Sequence, residues 1–313
     1  MKKLLVSALL VLPGVASAQF DEASLKKVPV KSMPVSGNVH MFEGAGGNIG
    51  VSAGPDGILI VDDQFAPLVP KIRAELGKLT KGKVKNPEYV LNTHWHFDHT
   101  GGNADFGREG TIVAHKHVRT RLMNGMESAA MGMKIPPAPK EALPVITYDQ
   151  GISIFFNGEE IQVTHLPSGH TDGDSMVYFT GSNVLHLGDH FTGDKYPFID
   201  LESGGSLEGY LRNVERVLQT LPAGVKIIPG HGALAGREQL EAFAQMLRDT
   251  VSLVKGKLAA GKTLEQVKAE GMPEKYKTWG GGYLKPEQWL TIAYQSLSGQ
   301  KPEQAKQPEA PKK

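Results

Sequence analysis

The sequence predicts a mixed α/β protein, arranged as a layered sandwich with helices outside two sheets. Short β-rich runs, separated by Gly-rich and Pro-Asp-Gly turns, alternate with segments of helical spacing along most of the chain. Strand runs followed by a helix occur twice in succession. No linker-like stretch divides the middle of the chain, so both halves are expected to belong to one domain.

The elements follow in a regular order. Short apolar runs predict strands at 39–42, 48–53, 57–61, 89–91, 111–114, 152–155, 161–164, 176–179, 184–187 and 226–228. Apolar residues with helical spacing predict helices at 68–79, 207–221, 239–258, 264–269 and 287–297. The first three strands are expected to form a meander, and the last three helices to pack on the core or cover a site.

Both ends of the chain are predicted to lie outside the folded domain. Residues 1–18 have two early lysines, an apolar run and a small-residue cleavage site, as a secretory signal peptide has. A membrane anchor is the alternative, but the run is shorter than the roughly 20 apolar residues that span a bilayer. Residues 300–313 are rich in Pro, Lys, Glu and Gln, which predicts a disordered tail. A folded domain at 19–299, exported to the periplasm in a Gram-negative cell and without a membrane span after cleavage, is expected.

Composition excludes several classes of function. The 313 residues include 34 Lys plus Arg and 33 Asp plus Glu, so the formal charge of +1 favours no nucleic-acid partner. The chain has no Cys, which excludes a thiol nucleophile, a disulfide and a cysteine-ligated metal cluster. Any transition metal must therefore be held by histidine and carboxylate side chains.

Four potential metal ligands occur within six residues, directly after the predicted strand at 89–91. They are His94, His96, Asp98 and His99, in the segment Thr-His-Trp-His-Phe-Asp-His-Thr-Gly-Gly. At strand-like spacing His94 and His96 point the same way, and a turn into a helix can direct Asp98 and His99 towards a second centre. One segment can thus contribute to two metal sites.

Three later residues occur in the same local setting, where a strand ends in a glycine-containing loop. They are His170 in Ser-Gly-His-Thr-Asp-Gly, Asp189 in Leu-Gly-Asp-His, and His231 in Pro-Gly-His-Gly. Together with the first four they can supply three ligands to each of two metals, with Asp189 shared. Imidazole and carboxylate ligands suit zinc first, with iron or manganese as alternatives.

With these positions filled in this order, the sequence resembles the metallo-β-lactamase-fold hydrolase superfamily, between about residues 39 and 231. The resemblance implies a four-layer αβ/βα sandwich with the site at the sheet edge. The implied ligands are His94, His96 and His170 for the first metal, Asp98, His99 and His231 for the second, and Asp189 as the bridge. Asp62 resembles a supporting residue of the family, with a simple turn carboxylate as the alternative.

Two bound zinc ions can lower the pKa of a shared water from about 15.7 to near 7, which supplies hydroxide at neutral pH. The expected activity is hydrolysis of an acyl bond in a small molecule, with metal-bound hydroxide as the nucleophile and Asp98 as the catalytic residue that orients it. Lactam, lactone, ester and thioester substrates are all compatible. Cleavage of a β-lactam is the leading single expectation, because exported members of this family meet β-lactams.

Two features oppose the β-lactam interpretation. Thr192 stands where lactamases with a bridging-position Cys have a substrate-anchoring Lys, and the nearest lysine is Lys195. The turn at 43–47 is also too short for a substrate-covering hairpin. The alternative activity is that of a persulfide dioxygenase of the same superfamily, with one iron held by two His and one carboxylate. For the Met-rich segment 122–139, an apolar lid and ordinary packing both remain open.

Overall fold

The computed structural model describes residues 21–128 and 133–300. The predicted signal peptide, and residues 301–313 of the predicted tail, lie outside these ranges. Within them, no helix combines the length and apolar character needed to span a membrane.

The strands follow the predicted order, with a few additions. Their bounds are Lys31–Ser36 (β1), Val39–Glu43 (β2), Ile49–Gly54 (β3), Gly57–Val61 (β4), Tyr89–Asn92 (β5), Thr111–His115 (β6), Met126–Ser128 (β7), Met133–Ile135 (β8), Ile146–Tyr148 (β9), Gly151–Phe156 (β10), Glu159–His165 (β11), Ser175–Phe179 (β12), Val184–His186 (β13) and Lys226–Ile228 (β14). Strand β1 was not predicted, because its side chains are mostly exposed and therefore show no apolar alternation.

The helices include the five predicted segments. Their bounds are Glu22–Leu25 (α1), Val69–Leu79 (α2), Phe97–Thr100 (α3), Asn103–Phe106 (α4), Lys116–Asn124 (α5), Leu207–Thr220 (α6), Arg237–Ala259 (α7), Leu264–Glu270 (α8) and Pro286–Ser298 (α9). Helix α5 was not predicted from the sequence, and Val118 is its one buried residue. A single buried side chain leaves almost no helical period to detect.

Two sheets of the described chain lie face to face. The first has the strand order β1-β2-β3-β4-β5-β6-β9, and the second has the order β10-β11-β12-β13-β14. Pairing is parallel from β4 through β9 and between β13 and β14, and antiparallel elsewhere within these two sheets. A third, two-stranded sheet consists of β7 and β8.

The core has three apolar layers, which together define the sandwich. Between the sheets, Met41, Leu59 and Leu91 of the first sheet pack with Phe179 and other residues of the second. On the outer side of the first sheet, α2 buries Ile72. On the outer side of the second sheet, α6, α7 and α9 form the largest cluster. This order of layers confirms the predicted αβ/βα sandwich.

Candidate metal centre

Four loops at one edge of the sandwich carry the seven predicted ligands. They follow β5, β11, β13 and β14. Because β13 and β14 run parallel, their carboxyl ends place Asp189 and His231 side by side. The Asn48 amide, from the turn before β3, donates to the carbonyls of Pro229 (2.9 Å) and Gly232 (2.8 Å) and so ties the first sheet to the His231 loop.

Three buried histidines form a first cluster. One ring nitrogen from each of His94, His96 and His170 lies within 4.8 Å of the others. The closest approach joins Nε2 of His170 to Nδ1 of His96, at 2.8 Å. These are the three residues that the sequence analysis assigns to the first metal.

The protons of two of these rings point away from the cluster. His170 donates its Nδ1–H to the carbonyl of Phe198 at 2.7 Å. His96 donates its Nε2–H to the Asp200 carboxylate at 3.0 Å. Burial raises the pKa of Asp200, but the hydrogen bond from His96 and its charge lower that pKa to about 2. With both rings in the neutral form, each has one N–H, so the two nitrogens that face each other at 2.8 Å then both present lone pairs. A cation between them would stabilise this arrangement.

The ring of His94 also directs its N–H away from the first cluster. The Thr93 hydroxyl donates to Asp62 at 2.7 Å and therefore accepts the Nδ1–H of His94 at 3.0 Å. Nε2 of His94 is then a lone pair, and this buried atom has no hydrogen-bond partner within the described chain. The donor set therefore fits a bound metal ion, which would satisfy all three inward nitrogens at once.

A second cluster lies beside the first and consists of Asp98, His99 and His231. Nε2 of His231 lies 3.3 Å from Oδ2 of Asp98 and 3.3 Å from Nε2 of His99. His99 donates its Nδ1–H to Asp62 at 2.7 Å, which leaves its Nε2 directed inward. Two imidazole nitrogens and one carboxylate thus converge as the sequence analysis expects.

Asp189 lies between the two clusters. Its Oδ1 is 3.2 Å from Nε2 of His99 and 3.4 Å from Nε2 of His231, and its Oδ2 is 3.7 Å from Nε2 of His170. One carboxylate therefore faces both sets of nitrogens, which is the placement a bridging ligand requires.

Asp62 also lies within reach of His94 and His99, but its oxygens are already occupied. Oδ1 accepts from the Thr93 amide at 2.7 Å, while Oδ2 accepts from the Thr93 hydroxyl and from His99 at 2.7 Å each. It follows β4 in the left-handed conformation, with φ of 64°. Asp62 thus orients Thr93 and His99 from outside the two clusters.

The charges of the two clusters differ. Burial raises the pKa of Asp98, but His99 and His231 lower it to about 2. Burial lowers the pKa of His231, but Asp189 and Asp98 raise it to about 10. Burial and the nearby His96 lower the pKa of His170 to about 4. His170 is therefore neutral without metal, whereas His231 retains a proton that a metal ion would displace.

Two glycines make room for ligand side chains, because each lacks the Cβ that would overlap one of them. A Cβ at Gly47 would overlap the imidazole of His99, and a Cβ at Gly230 would overlap the carboxylate of Asp189. The backbone at both positions passes directly over a ligand side chain. Any larger residue would displace that side chain.

Two positioning residues were not singled out by the sequence analysis. Asp200 is fully buried and holds His96, and Thr93 links His94 to Asp62. Thr93 lies inside the histidine motif, so its position was a usable signal. Asp200 follows no strand and lies 104 residues from His96, and no local pattern marks it.

A cavity of about 780 Å³ opens at the two clusters, with His96, Asp98, Asp189 and His231 in its lining. Among residues 122–126 and 134–139, whose side chains the structure describes, none lines the cavity. Met126 and Ile135 instead pack beside the buried Trp95. The described part of the segment therefore fits the packing interpretation, while residues 129–132 lie outside the description.

The Metallo-beta-lactamase superfamily model matches residues 35–231, which include all seven predicted ligands. The chain belongs to this superfamily of metal-dependent hydrolases. Its sheets and helical layers have the fold of the family.

The chain has only low sequence identity to individual relatives. The chain is 29% identical to the beta-lactamase-like protein 2 homolog of Drosophila melanogaster over 164 residues, 52% of this chain and 51% of that protein. It is 24% identical to an acyl-coenzyme A thioesterase of Gallus gallus over 180 residues, 52% of this chain and 63% of that protein. The match thus spans about half the length of the Drosophila protein. A solved metallo-beta-lactamase from Pontibacter korlensis shares the fold with a TM-score of 0.56 and 16% identity, over 70% of this chain and 99% of that chain.

Proposed function

We propose that the protein is a zinc-dependent hydrolase with two metal ions that cleaves an acyl bond of a small molecule. The observation that carries this proposal is the pair of clusters joined by Asp189, in which imidazole nitrogens of His94, His96 and His170 converge within 4.8 Å of one another. Relatives that include a thioesterase support acyl-bond cleavage as the reaction class.

The residues would divide the work between binding and orientation. Two bound zinc ions would supply a hydroxide nucleophile near neutral pH and polarise the scissile carbonyl. His94, His96 and His170 would hold one ion, Asp98, His99 and His231 the other, and Asp189 both. Asp98 also lines the cavity, so its carboxylate is placed to accept a hydrogen bond from the attacking water and orient it.

Metal analysis combined with a substrate panel tests the proposal. Mature protein from unsupplemented cells should contain two zinc ions per chain and should hydrolyse at least one of a β-lactam, an acyl-homoserine lactone and a thioester, but not a phosphodiester. His94→Ala and Asp189→Ala should abolish turnover. His117→Ala is the matched control, because this histidine is partly exposed and lies outside both clusters. Full activity after metal removal would refute the proposal.

Two further outcomes are informative. Export is also part of the proposal, and it makes the β-lactam the first substrate to test. N-terminal sequencing of the secreted protein tests export, because the mature chain should begin at Gln19. If the protein contains one iron per chain and consumes oxygen when a persulfide is added, the dioxygenase function is supported in place of the hydrolase. The complete second cluster favours the hydrolase.

A further inference from the structure

The cavity extends from the metal-binding residues into a region built by the C-terminal part of the chain. Its far wall includes Gln239 and Ala242 of α7, followed by Trp279, Gly282 and Tyr283. All five residues come after residue 231, where the family match ends. This far wall is thus formed by residues that lie beyond the segment matched by the family model.

The lining of this cavity is mainly aromatic and aliphatic. Besides Trp279 and Tyr283 it includes Phe65, Phe97, Phe191, Tyr196, Phe198, Ala233, Leu234 and Ala235. Beyond the predicted metal ligands, Asp194 and Lys195 are the charged side chains among its described lining residues. These two side chains lie 3.3 Å apart, so their opposite charges partly offset each other and the lining carries no excess of either sign beyond the predicted metal ligands.

Trp279 is held in place by neighbouring rings. It packs against Tyr276 at 5.7 Å, Phe243 at 6.1 Å and Tyr196 at 6.4 Å between ring centroids. The backbone N–H of Tyr196 also donates to the Trp279 carbonyl at 3.3 Å. Tyr283 differs, because 64% of its surface is exposed although it lines the cavity. The far wall therefore combines a fixed ring with an exposed ring at its edge.

We propose that this region binds a large uncharged apolar group of the substrate, an alkyl chain or an aromatic ring, while the scissile acyl bond lies at the metal centre. The proposal rests on the proposed hydrolase function and specifies its substrate class. Cavities of about 300–1,000 Å³ with apolar walls and a few polar groups are typical ligand sites. Here the predicted metal ligands supply the polar groups at one end, and the other polar side chains of the described lining are Thr192, Asp194, Lys195, Gln239 and the phenols of Tyr196 and Tyr283.

A chain-length series tests the substrate class. With zinc-loaded enzyme and acyl-homoserine lactones or acyl thioesters of 4 to 12 carbons, kcat/KM should rise up to about fourfold per added methylene. Trp279→Ala should reduce this rise, so that the loss is more than about tenfold for the longest chain and less than about twofold for the shortest. Phe155→Ala is the matched control, because Phe155 is 78% exposed and lies outside the cavity lining. Equal chain-length dependence in wild type and Trp279→Ala would overturn the proposal.

A binding measurement separates this inference from the reaction itself. The neutral fluorescent probe N-phenyl-1-naphthylamine should bind to both metal-free and zinc-loaded protein. Ala242→Trp places a large side chain on an exposed wall position, so it should block the probe without disturbing the core. Probe affinity that is the same in wild type and Ala242→Trp would overturn the apolar site. Blocked probe binding with no hydrolysis of any panel substrate would support the apolar site and refute the proposed reaction.

Discussion

The Nδ1–H of His99 donates to Oδ2 of Asp62 at 2.7 Å, between two side chains that are both fully buried. This bond fixes the ring so that Nε2 faces Asp98, Asp189 and His231. The same carboxylate holds Thr93, which in turn holds His94. Asp62 therefore connects one ligand of each cluster.

Replacing Asp62 should weaken metal binding at both clusters. In Asp62→Asn the charge that favours the Nδ1–H of His99 is lost, and we expect metal affinity to fall about 10- to 100-fold. Competition with a chromophoric chelator measures this. Asp149→Asn, at an exposed carboxylate paired with Lys116, should have no effect. Unchanged affinity in Asp62→Asn would show that Asp62 has no positioning role.

Asp200 should determine the number of metals bound. In Asp200→Asn an amide can donate to Nε2 of His96, which would move the ring proton to Nδ1 and block the first cluster. Metal analysis should then give one ion per chain in place of two. Asp200→Glu should retain partial binding, because it keeps the accepting carboxylate. A full complement of two ions in Asp200→Asn would contradict this assignment.

Metal removal should lower stability as well as activity. Converging lone pairs in the first cluster and retained protons in the second are both relieved by bound cations. At a free metal concentration of 100 times Kd, each ion should add about 2.7 kcal/mol to the free energy of unfolding. Thermal unfolding with and without a chelator measures the difference. Asp189→Ala should show a much smaller response, and an equal response would count against the bridge.

A histidine group outside the metal centre should make stability depend on pH. The ring of His115 stacks on that of His165 at 3.8 Å between centroids, and burial together with the nearby His165 and His117 lowers the pKa of His115 to about 4. An unfolded histidine titrates near 6.5. Between these values the unfolded chain binds more protons, so stability falls as the pH decreases from about 6.5 to 4.

The variant His115→Gln should lose this dependence. In chelator-containing buffer, urea unfolding between pH 7.5 and pH 4.5 should destabilise the wild type by about 2 kcal/mol more than His115→Gln. Other titrating groups are common to both proteins and cancel in the comparison. Parallel stability profiles would mean that His115 titrates normally in the folded protein.

The close packing of Gly47 against a ligand side chain can be tested by a substitution that changes no charge. Gly47→Ala should displace the His99 ring and lower both zinc content and activity, since the added Cβ overlaps that ring. Gly82→Ala is a matched control for the metal centre, because a Cβ there meets nothing within 4 Å. Its positive φ of 81° makes a small loss of stability the expected cost, but zinc content should not change. Full zinc occupancy in Gly47→Ala would contradict the tight packing.

The layered fold was predictable from sequence, and so was the convergence of the seven candidate ligands at one sheet edge, because both depend on local patterns. His94, His170, Asp189 and His231 each lie in a loop that follows a strand. Parallel pairing of neighbouring strands brings such loops to one edge of the sheet. Asp200 was not predictable, because its contact with His96 forms only when two distant segments pack. The edge strand β1 was missed because few of its side chains are buried.

The far wall of the cavity was not predictable either. Trp279 and the glycines after it are noticeable in the sequence, but their distance from the histidine motif is set by how the C-terminal helices pack on the second sheet. That packing involves residues from α6, α7 and α9 at once, and no local period encodes it.

The position of this wall has a consequence for how such a protein can change. The predicted metal ligands all lie within residues 35–231, whereas Ala242, Trp279 and Tyr283 come later in the chain. On the proposed function, substitutions after residue 231 would therefore alter which molecules are accepted without touching the groups that would perform the chemistry. Exchange of the C-terminal helices between relatives, or a mutant library confined to them, offers a direct route to new selectivities on an unchanged reaction centre.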